Sequence, residues 1–483
     1  MREMHAEQRI AAARKAQAQW TRRSVKERVR ALRPLREAIV ERMDEIIQTI
    51  SEEIGKTPMD ALVGDVMVTL EQLRYYERHA VRLLRARRIG KPWFLFGGTH
   101  FLEVHEPHGT VLVFAPWNYP LQLSLVPMLT ALFAGNAVLL KCSEHAPRTS
   151  RLIADICVNI GLPDGLVQVS CEAPEEASAL LECSPDLIFF TGSSRNGRRV
   201  AIKAAEFMIP TVMELGGKDA ALVFDSCDLE RTANGIAYGS FSNAGQVCVG
   251  IKRIYVQQTI YDEFLRVFLE KVAAIRIGTT VESDIGPIPL EAVRSRLRQQ
   301  VMNAISCGAK VRSRWSQDEE IGLPIVLTDV ADDAALLVDE SFGPVVCVAP
   351  FNSEVEAIEL ANKCSWALSA SVWTGDRTQG EGVAMQLQSG SCAVNDVIRN
   401  IGNPHVSFGG NRLSGHGRYH GAAGLNAFSR TKVMMVADRT KTTEVHWFPF
   451  RASTFARLRG LLSVRHHASS ASRWKAFREM WMS

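Results

Sequence analysis

No two cysteines of this chain form a CxxC pair, and none has a histidine at zinc-finger spacing. The ten are scattered at 142, 157, 171, 183, 227, 248, 307, 347, 364 and 392. Neither a metal site nor a disulfide framework is signalled, so a reducing compartment, the cytoplasm, is expected. The first seven residues, Met1 to Glu7, contain no apolar run, and a secretory signal is not expected. Internal repeats and low-complexity tracts are lacking too. So is a large excess of one charge: 56 basic against 52 acidic residues leave +4 over 483 residues. With 46% hydrophobic and 22% charged residues, disordered and collagen-like classes are excluded. The length suits about three units of about 150 residues.

The familiar nucleotide motifs fail as well. No GxGxxG follows a strand, and Gly415–Gly421 has one residue too many. Gly192-Ser193-Ser194-Arg195-Asn196-Gly197 has P-loop glycine spacing, but Arg198-Arg199 stands where Lys-Ser/Thr is required. A strand-to-helix turn with free N–H groups suited to an anion remains. From Val111 to Leu140 no charged residue or histidine occurs, long enough to span a bilayer. Pro116, Pro120 and Pro127 interrupt that run, which reads as a buried strand-loop-helix-strand unit.

Residues 1 to about 85 read as helical, with Met43, Ile46, Ile47, Ile50 and Ile54 at helical spacing and Gly55 with Pro58 ending the pattern. Beyond them short β-branched runs alternate with amphipathic segments. Strands are expected at Val111–Phe114, Ala137–Lys141, Leu166–Ser170, Leu187–Thr191 and Thr211–Leu215, with a helix over Thr149–Ile160. A second series is expected near Ala220–Phe224, Arg253–Val256, Val345–Pro350 and Ala370–Trp373. Such alternation predicts an α/β fold with two parallel-sheet lobes and appended pieces.

Four segments carry the chemistry: Pro116-Trp117-Asn118, Glu214-Leu215-Gly216-Gly217-Lys218, Gly245-Gln246-Val247-Cys248 and Glu340-Ser341-Phe342-Gly343-Pro344. With Lys141-Cys142-Ser143-Glu144, Phe190-Thr191-Gly192-Ser193 and Ser407-Phe408-Gly409-Gly410, they make the chain resemble the aldehyde dehydrogenase superfamily from about residue 40 to 435. Ser414-Gly415 through Tyr419-His420-Gly421 resembles the class 3 branch, which includes coniferyl-aldehyde-type enzymes. The resemblance implies two Rossmann-like lobes, a small β oligomerisation arm and a helical N-terminus. On that basis 1–85 is the helical N-terminal part of the cofactor domain and 86–110 a bridging β-hairpin. Residues 111–216 are the cofactor-binding core, 217–400 the catalytic domain, 401–450 the return and oligomerisation arm, and 451–483 a basic amphipathic tail.

The residues make sense as chemistry. An aldehyde gives up hydride readily only from a tetrahedral adduct, which a thiolate can form and later leave. The small residues Gly245-Gln246 suggest an exposed loop around Cys248, the expected nucleophile. Asn118 can donate to the oxyanion, a contribution of about 10²–10³ in rate. Glu214, ending an apolar strand, suits the base that activates water on the thioester. Its presence favours release of free acid, since relatives making acyl-CoA or reducing acyl phosphates generally lack it.

The cofactor positions follow from the resemblance. Lys141 matches the adenosine-ribose ligand and Glu144 the acceptor of its 2′-hydroxyl, which favours NAD, with NADP also used in this branch. Ser193 matches a pyrophosphate contact, Glu340 the nicotinamide-ribose ligand, and Phe342 packs near the ring; Gly192 and Trp117 complete the set. Three departures stand out: Cys142 replaces a usual proline and could make cofactor binding oxidation-sensitive, Asn196 replaces an aliphatic residue, and Val249–Arg253 is unusual for class 3.

The expected substrate is a hydrophobic aldehyde, aromatic or medium-chain, with a charged semialdehyde or a non-catalytic fold-retaining protein as rivals. A homodimer is implied by the resemblance. The basicity has an address: residues 451–483 carry +6, leaving −2 for the other 450. With Trp447, Phe448, Phe450, Phe455, Trp474 and Trp481 nearby, the tail is a candidate for peripheral membrane contact. A nucleic-acid partner is not expected.

Overall fold

The computed structural model describes residues 5–90, 98–171, 174–316, 321–437 and 442–482. Residues 91–97 of the expected hairpin lie outside these. The chain forms two compact units, one of residues 1–85 and 105–431, the other of 86–104 and 432–483.

In the larger unit the N-terminal helices are α1 (Ala6–Trp20), α2 (Val25–Glu41), α3 (Met43–Ile54) and α4 (Val68–Leu83). Ser24 and Glu27 close a reciprocal capping box on α2. Helix α3 buries Ile46, Ile50 and Ile54 and stops at Gly55, whose φ of 69° suits glycine. Between α3 and α4 a π-helical stretch, Ala61–Met67, carries Asp65 into the core. Asp65 Oδ2 accepts from Lys56 Nζ at 2.7 Å, and its Oδ1 accepts the N–H groups of Leu121 and Gln122 at 3.0 and 3.1 Å. This buried pair therefore holds the start of α5 (Gln122–Ala134).

The first sheet contains β1 (Thr110–Phe114), β2 (Ala137–Lys141), β3 (Val167–Ser170), β4 (Leu187–Thr191) and β5 (Thr211–Glu214). Helix α6 (Pro147–Asn159) connects β2 to β3, and α7 (Ser194–Glu206) connects β4 to β5. Their order is β5-β4-β1-β2-β3, all parallel. The uncharged run at 111–140 is β1, a loop, α5 and β2; each of these three elements is buried throughout, and among the described residues no helix is long and apolar enough to cross a membrane.

The second sheet contains β6 (Asp219–Val223), β7 (Ile251–Gln257), β8 (Lys310–Val311), β9 (Ile325–Thr328), β10 (Val345–Phe351), β11 (Ser369–Trp373) and β12 (Ser391–Val394). Its order is β8-β9-β10-β7-β6-β11-β12, parallel except for β8. Helix α8 (Leu229–Phe241) links β6 to the loop before β7. A short strand β13 (Gly415–His416) adds antiparallel to β5 at the edge of the first sheet.

A three-stranded sheet is drawn from Arg87–Arg88, Thr99–Pro107 and Ser429–Ala437, with Arg87–Arg88, 99–104 and 432–437 in the smaller unit. The C-terminal part of that unit is two helices packed together, α9 (Ala452–His466) and α10 (Ser470–Met482). Ser469 interrupts the helix by accepting the Ser472 N–H on its hydroxyl at 3.1 Å, an N-cap arrangement.

Candidate active site

The first sheet reverses its direction of growth between β1 and β4, because β2 and β3 follow on one side of β1 while β4 and β5 lie on the other. Such a switch point opens a crevice at the carboxyl ends of the strands. The Trp117-Asn118 loop leaves β1 there, Lys141 ends β2, Gly192-Ser193 follow β4, and Glu214 ends β5.

Asn118 is buried, and its Nδ2 donates to the Gln246 carbonyl at 2.9 Å. Asn243 Nδ2 donates to the Asn118 carbonyl at 3.1 Å, so two loops 125 residues apart are joined by their amides. Asn243 in turn gives its backbone N–H to Asp60 Oδ2 at 3.1 Å. The loop bends through three left-handed residues, Asn243, Ala244 and Gly245, with φ of 50°, 53° and 68°. At Gly245 an added Cβ would collide with the Gly343 carbonyl and come within 2.8 Å of Lys252 Nζ. Gly245 and Gln246 are buried rather than in the exposed loop that their small size suggests. Lys252 and the Gly343 segment close over them.

Cys248 follows, half-buried. Burial first, then the carboxylates of Glu214, Asp219 and Glu340, push its thiol far above the ordinary range. At rest it is a neutral thiol. Gly217 passes close to its backbone: a Cβ there would strike the Cys248 carbonyl.

Glu214 is 3% exposed, and neither carboxylate oxygen has a hydrogen-bond partner. Burial raises its pKa well above the usual carboxylate value, with the Arg418 charge opposing. Arg418 is itself held by the carbonyls of Gly410 and Gly417 and by Asn411 Oδ1, at 2.7–2.8 Å.

Glu340 lies over Gly216, where a Cβ would overlap its carboxylate. Burial raises Glu340 to about 7. Phe342, at φ 54°, meets the Trp117 ring edge-on at 5.8 Å, so these two sequence-predicted residues form one wall. Lys218 Nζ donates to Ser341 Oγ at 2.6 Å. Lys252 Nζ donates to the carbonyls of Gly343, Gly245 and Ser240 at 2.7, 3.0 and 3.4 Å. Burial lowers Lys252 to about 7.

Lys141 Nζ donates to Glu144 Oε2 at 2.7 Å, with Lys141 buried and Glu144 partly open. Ser193 is exposed and caps α7 by accepting the Asn196 N–H at 3.4 Å, while Gly192 N–H donates to the Glu214 carbonyl at 3.1 Å. The departure at Asn196 is harmless to packing, because that side chain faces solvent and Leu215 packs instead on Gly197. Cys142 is 3% exposed with its sulfur 3.6 Å from Ser124 Oγ, and burial pushes the thiol up. A shielded, protonated thiol is a poor target for oxidants, contrary to the sensitivity its place beside Lys141 suggests.

Sequence reasoning missed Lys252, Asn243, Asp60, Asp65 and Arg418. The unusual Val249–Arg253 stretch held one signal, since a lysine inside a β-branched strand needs partners.

Comparison with known proteins agrees with this geometry. The profile of the Aldehyde dehydrogenase family matches residues 1–434. The chain is 39% identical over 456 residues to the 4,4'-diapolycopene aldehyde oxidase of Methylomonas sp, covering 94% of this chain and 86% of that protein. It is 34% identical to a putative succinate-semialdehyde dehydrogenase [NADP(+)] of Mycolicibacterium smegmatis, over 88% and 83% of the two chains. Among solved structures it is similar to an NAD-dependent aldehyde dehydrogenase from Sinorhizobium meliloti, with TM-score 0.86, 30% identity and coverage of 92% and 88%. A betaine aldehyde dehydrogenase from Staphylococcus aureus in complex with NAD+ gives TM-score 0.85 at 27% identity, covering 92% and 89%.

Proposed function

Because the chain belongs to the aldehyde dehydrogenase family, whose members oxidise aldehydes with NAD or NADP, we propose that it converts an apolar aldehyde to the free carboxylic acid with Cys248, Glu214 and Asn118 as its catalytic residues. The observation carrying this reading is the buried Glu214 carboxylate, unpartnered and in the electrostatic reach of Cys248.

Cys248 Sγ, once it loses its proton, attacks the aldehyde carbon to give a thiohemiacetal. Asn118 Nδ2, freed from the Gln246 carbonyl, and the Cys248 N–H would donate to the oxyanion. Once the thiohemiacetal has given up its hydride and become a thioester, Glu214 takes a proton from water as the water attacks, and Cys248 leaves as thiolate. NAD, when bound, accepts the hydride. The crevice suits it: Thr191 Oγ1 is buried without a partner beside Gly192, and α7 presents its N-terminus at Ser193. Lys141 and Glu144 would hold the adenosine ribose, and a carboxylate at Glu144 disfavours the 2′-phosphate of NADP. Glu340 would hold the second ribose, with Phe342 and Trp117 forming the wall beside it.

An apolar substrate is favoured by the Methylomonas relative, whose name specifies 4,4'-diapolycopene aldehyde. A homodimer in the cytoplasm is proposed from the class 3 resemblance and the unpatterned cysteines. An aldehyde panel tests the substrate with NAD and NADP in parallel. The reading predicts the highest kcat/KM for long or aromatic aldehydes with NAD; a preference for succinate semialdehyde would overturn the apolar class.

A further inference from the structure

Near the C-terminus the protein leaves open to solvent several large apolar side chains that a folded unit ordinarily covers. Trp447 is 53% exposed, Phe448 79%, Phe450 73%, Phe455 70% and Trp474 69%. They are grouped: the rings of Phe448 and Phe450 are 4.6 Å apart, and Trp474 stacks on Phe477 at 5.7 Å. Over the same stretch, residues 445–478 contain seven lysines and arginines and no aspartate or glutamate. Arg451, Arg457, Arg459, Arg473 and Lys475 are all exposed.

We propose that this C-terminal part of the smaller unit, residues 445–478, is a docking surface for an anionic lipid bilayer. Tryptophan and phenylalanine settle at the boundary between headgroups and acyl chains, and arginines beside them meet the headgroup phosphates. Helices α9 and α10 have 15 and 13 residues, short of the about 20 that a crossing requires, so the surface lies on the membrane. Charge complementarity separates this occupant from a second copy of the same surface, which would bring +7 against +7. Residues 1–450 carry −2, a balance with no net attraction for a nucleic-acid backbone. In function the proposal rests on the apolar-aldehyde reading: such a substrate dissolves in the bilayer, and docking holds the enzyme at the phase that contains it.

The test is co-sedimentation of the full chain with vesicles of phosphatidylcholine mixed with phosphatidylglycerol, and with phosphatidylcholine alone. Binding to the anionic vesicles and little to the neutral ones is expected. Replacing Arg457, Arg459 and Lys475 by glutamine should weaken it about a hundredfold. Replacing Trp447, Phe448 and Phe450 by serine should weaken it at least about tenfold. Both variants should oxidise a water-soluble aldehyde at the wild-type rate, which separates failure of docking from failure of the catalytic reading. Absence of wild-type binding to anionic vesicles overturns the proposal. So does serine-variant binding equal to wild type, binding of single-stranded RNA but not vesicles, or a serine variant that changes only the subunit number in light scattering.

Discussion

Glu214 and Arg418 meet across Gly409: a Cβ on that glycine would lie 2.7 Å from Glu214 Oε1 and 2.9 Å from Arg418 Cδ. The carboxylate sits on β5 and the arginine 204 residues later, just after β13, which pairs with that strand. Burial pushes Glu214 toward the neutral acid, Arg418 pulls it back, and only the ionised form can accept a proton from water. Tyr419 and Cys248 also sense its charge.

Turnover limited by thioester hydrolysis should therefore rise with pH beyond the normal carboxylate range. Arg418→Met should move that ascending limb to higher pH and, at neutral pH, remove part of the about 10²–10⁴ that a general base contributes. A pH–rate profile of kcat for both proteins checks this. A loss of rate with an unmoved limb would mean that Arg418 acts only through loop structure.

Lys252 clamps the Cys248 loop to the segment after Glu340 through three carbonyls. Lys252→Met keeps the length and leaves those acceptors unpaired, at a cost of about 1–3 kcal/mol. A lower midpoint in denaturant unfolding is expected, together with a smaller first-turnover burst of NADH, because Gly245 is released beside the proposed nucleophile.

Lys56 and Asp65 form a fully buried pair, and Lys56 Nζ also lies 3.6 Å from the centre of the Tyr119 ring, next to Asn118. Asp65→Ala leaves a buried cation without its counter-charge and frees the start of α5, so a destabilisation of about 3–5 kcal/mol is expected. Equilibrium unfolding of that variant and of Lys56→Met with Asp65→Ala tests the pairing: the double variant should be more stable than Asp65→Ala alone.

Glu144 is partly open; burial would raise it, but the bond to Lys141, a backbone N–H and the neighbouring positive charge together hold it below the usual carboxylate value, so it stays ionised. On the proposed role, Glu144→Gln removes a charge that would repel a 2′-phosphate. The ratio of kcat/KM for NAD over NADP should fall, chiefly through a lower KM for NADP; an unchanged ratio would place cofactor choice elsewhere.

The strands of the first sheet were readable because each is a short apolar run closed by a turn signal; Ala137–Lys141 and Leu187–Thr191 match their expected bounds. Glu214, Asn118 and Cys248 were readable as types in ordered motifs. The burial of Gly245-Gln246 was not, since it is imposed by Gly343, about a hundred residues away, and by Lys252, which no local pattern aims inward. Arg418 and Asp65 were hidden for the same reason: each acts through a contact made only when distant segments converge. The tail's division into two helices turns on one hydroxyl cap at Ser469, too local for composition to register.

The division of labour between Cys248 and Glu214 is tested most directly by rapid mixing of enzyme, NAD and aldehyde while NADH absorbance is followed. Glu214→Gln should give about one equivalent of NADH per site and then turnover slowed by about 10²–10⁴, whereas Cys248→Ala should give no burst. Steady turnover of either variant at the wild-type rate would contradict the account.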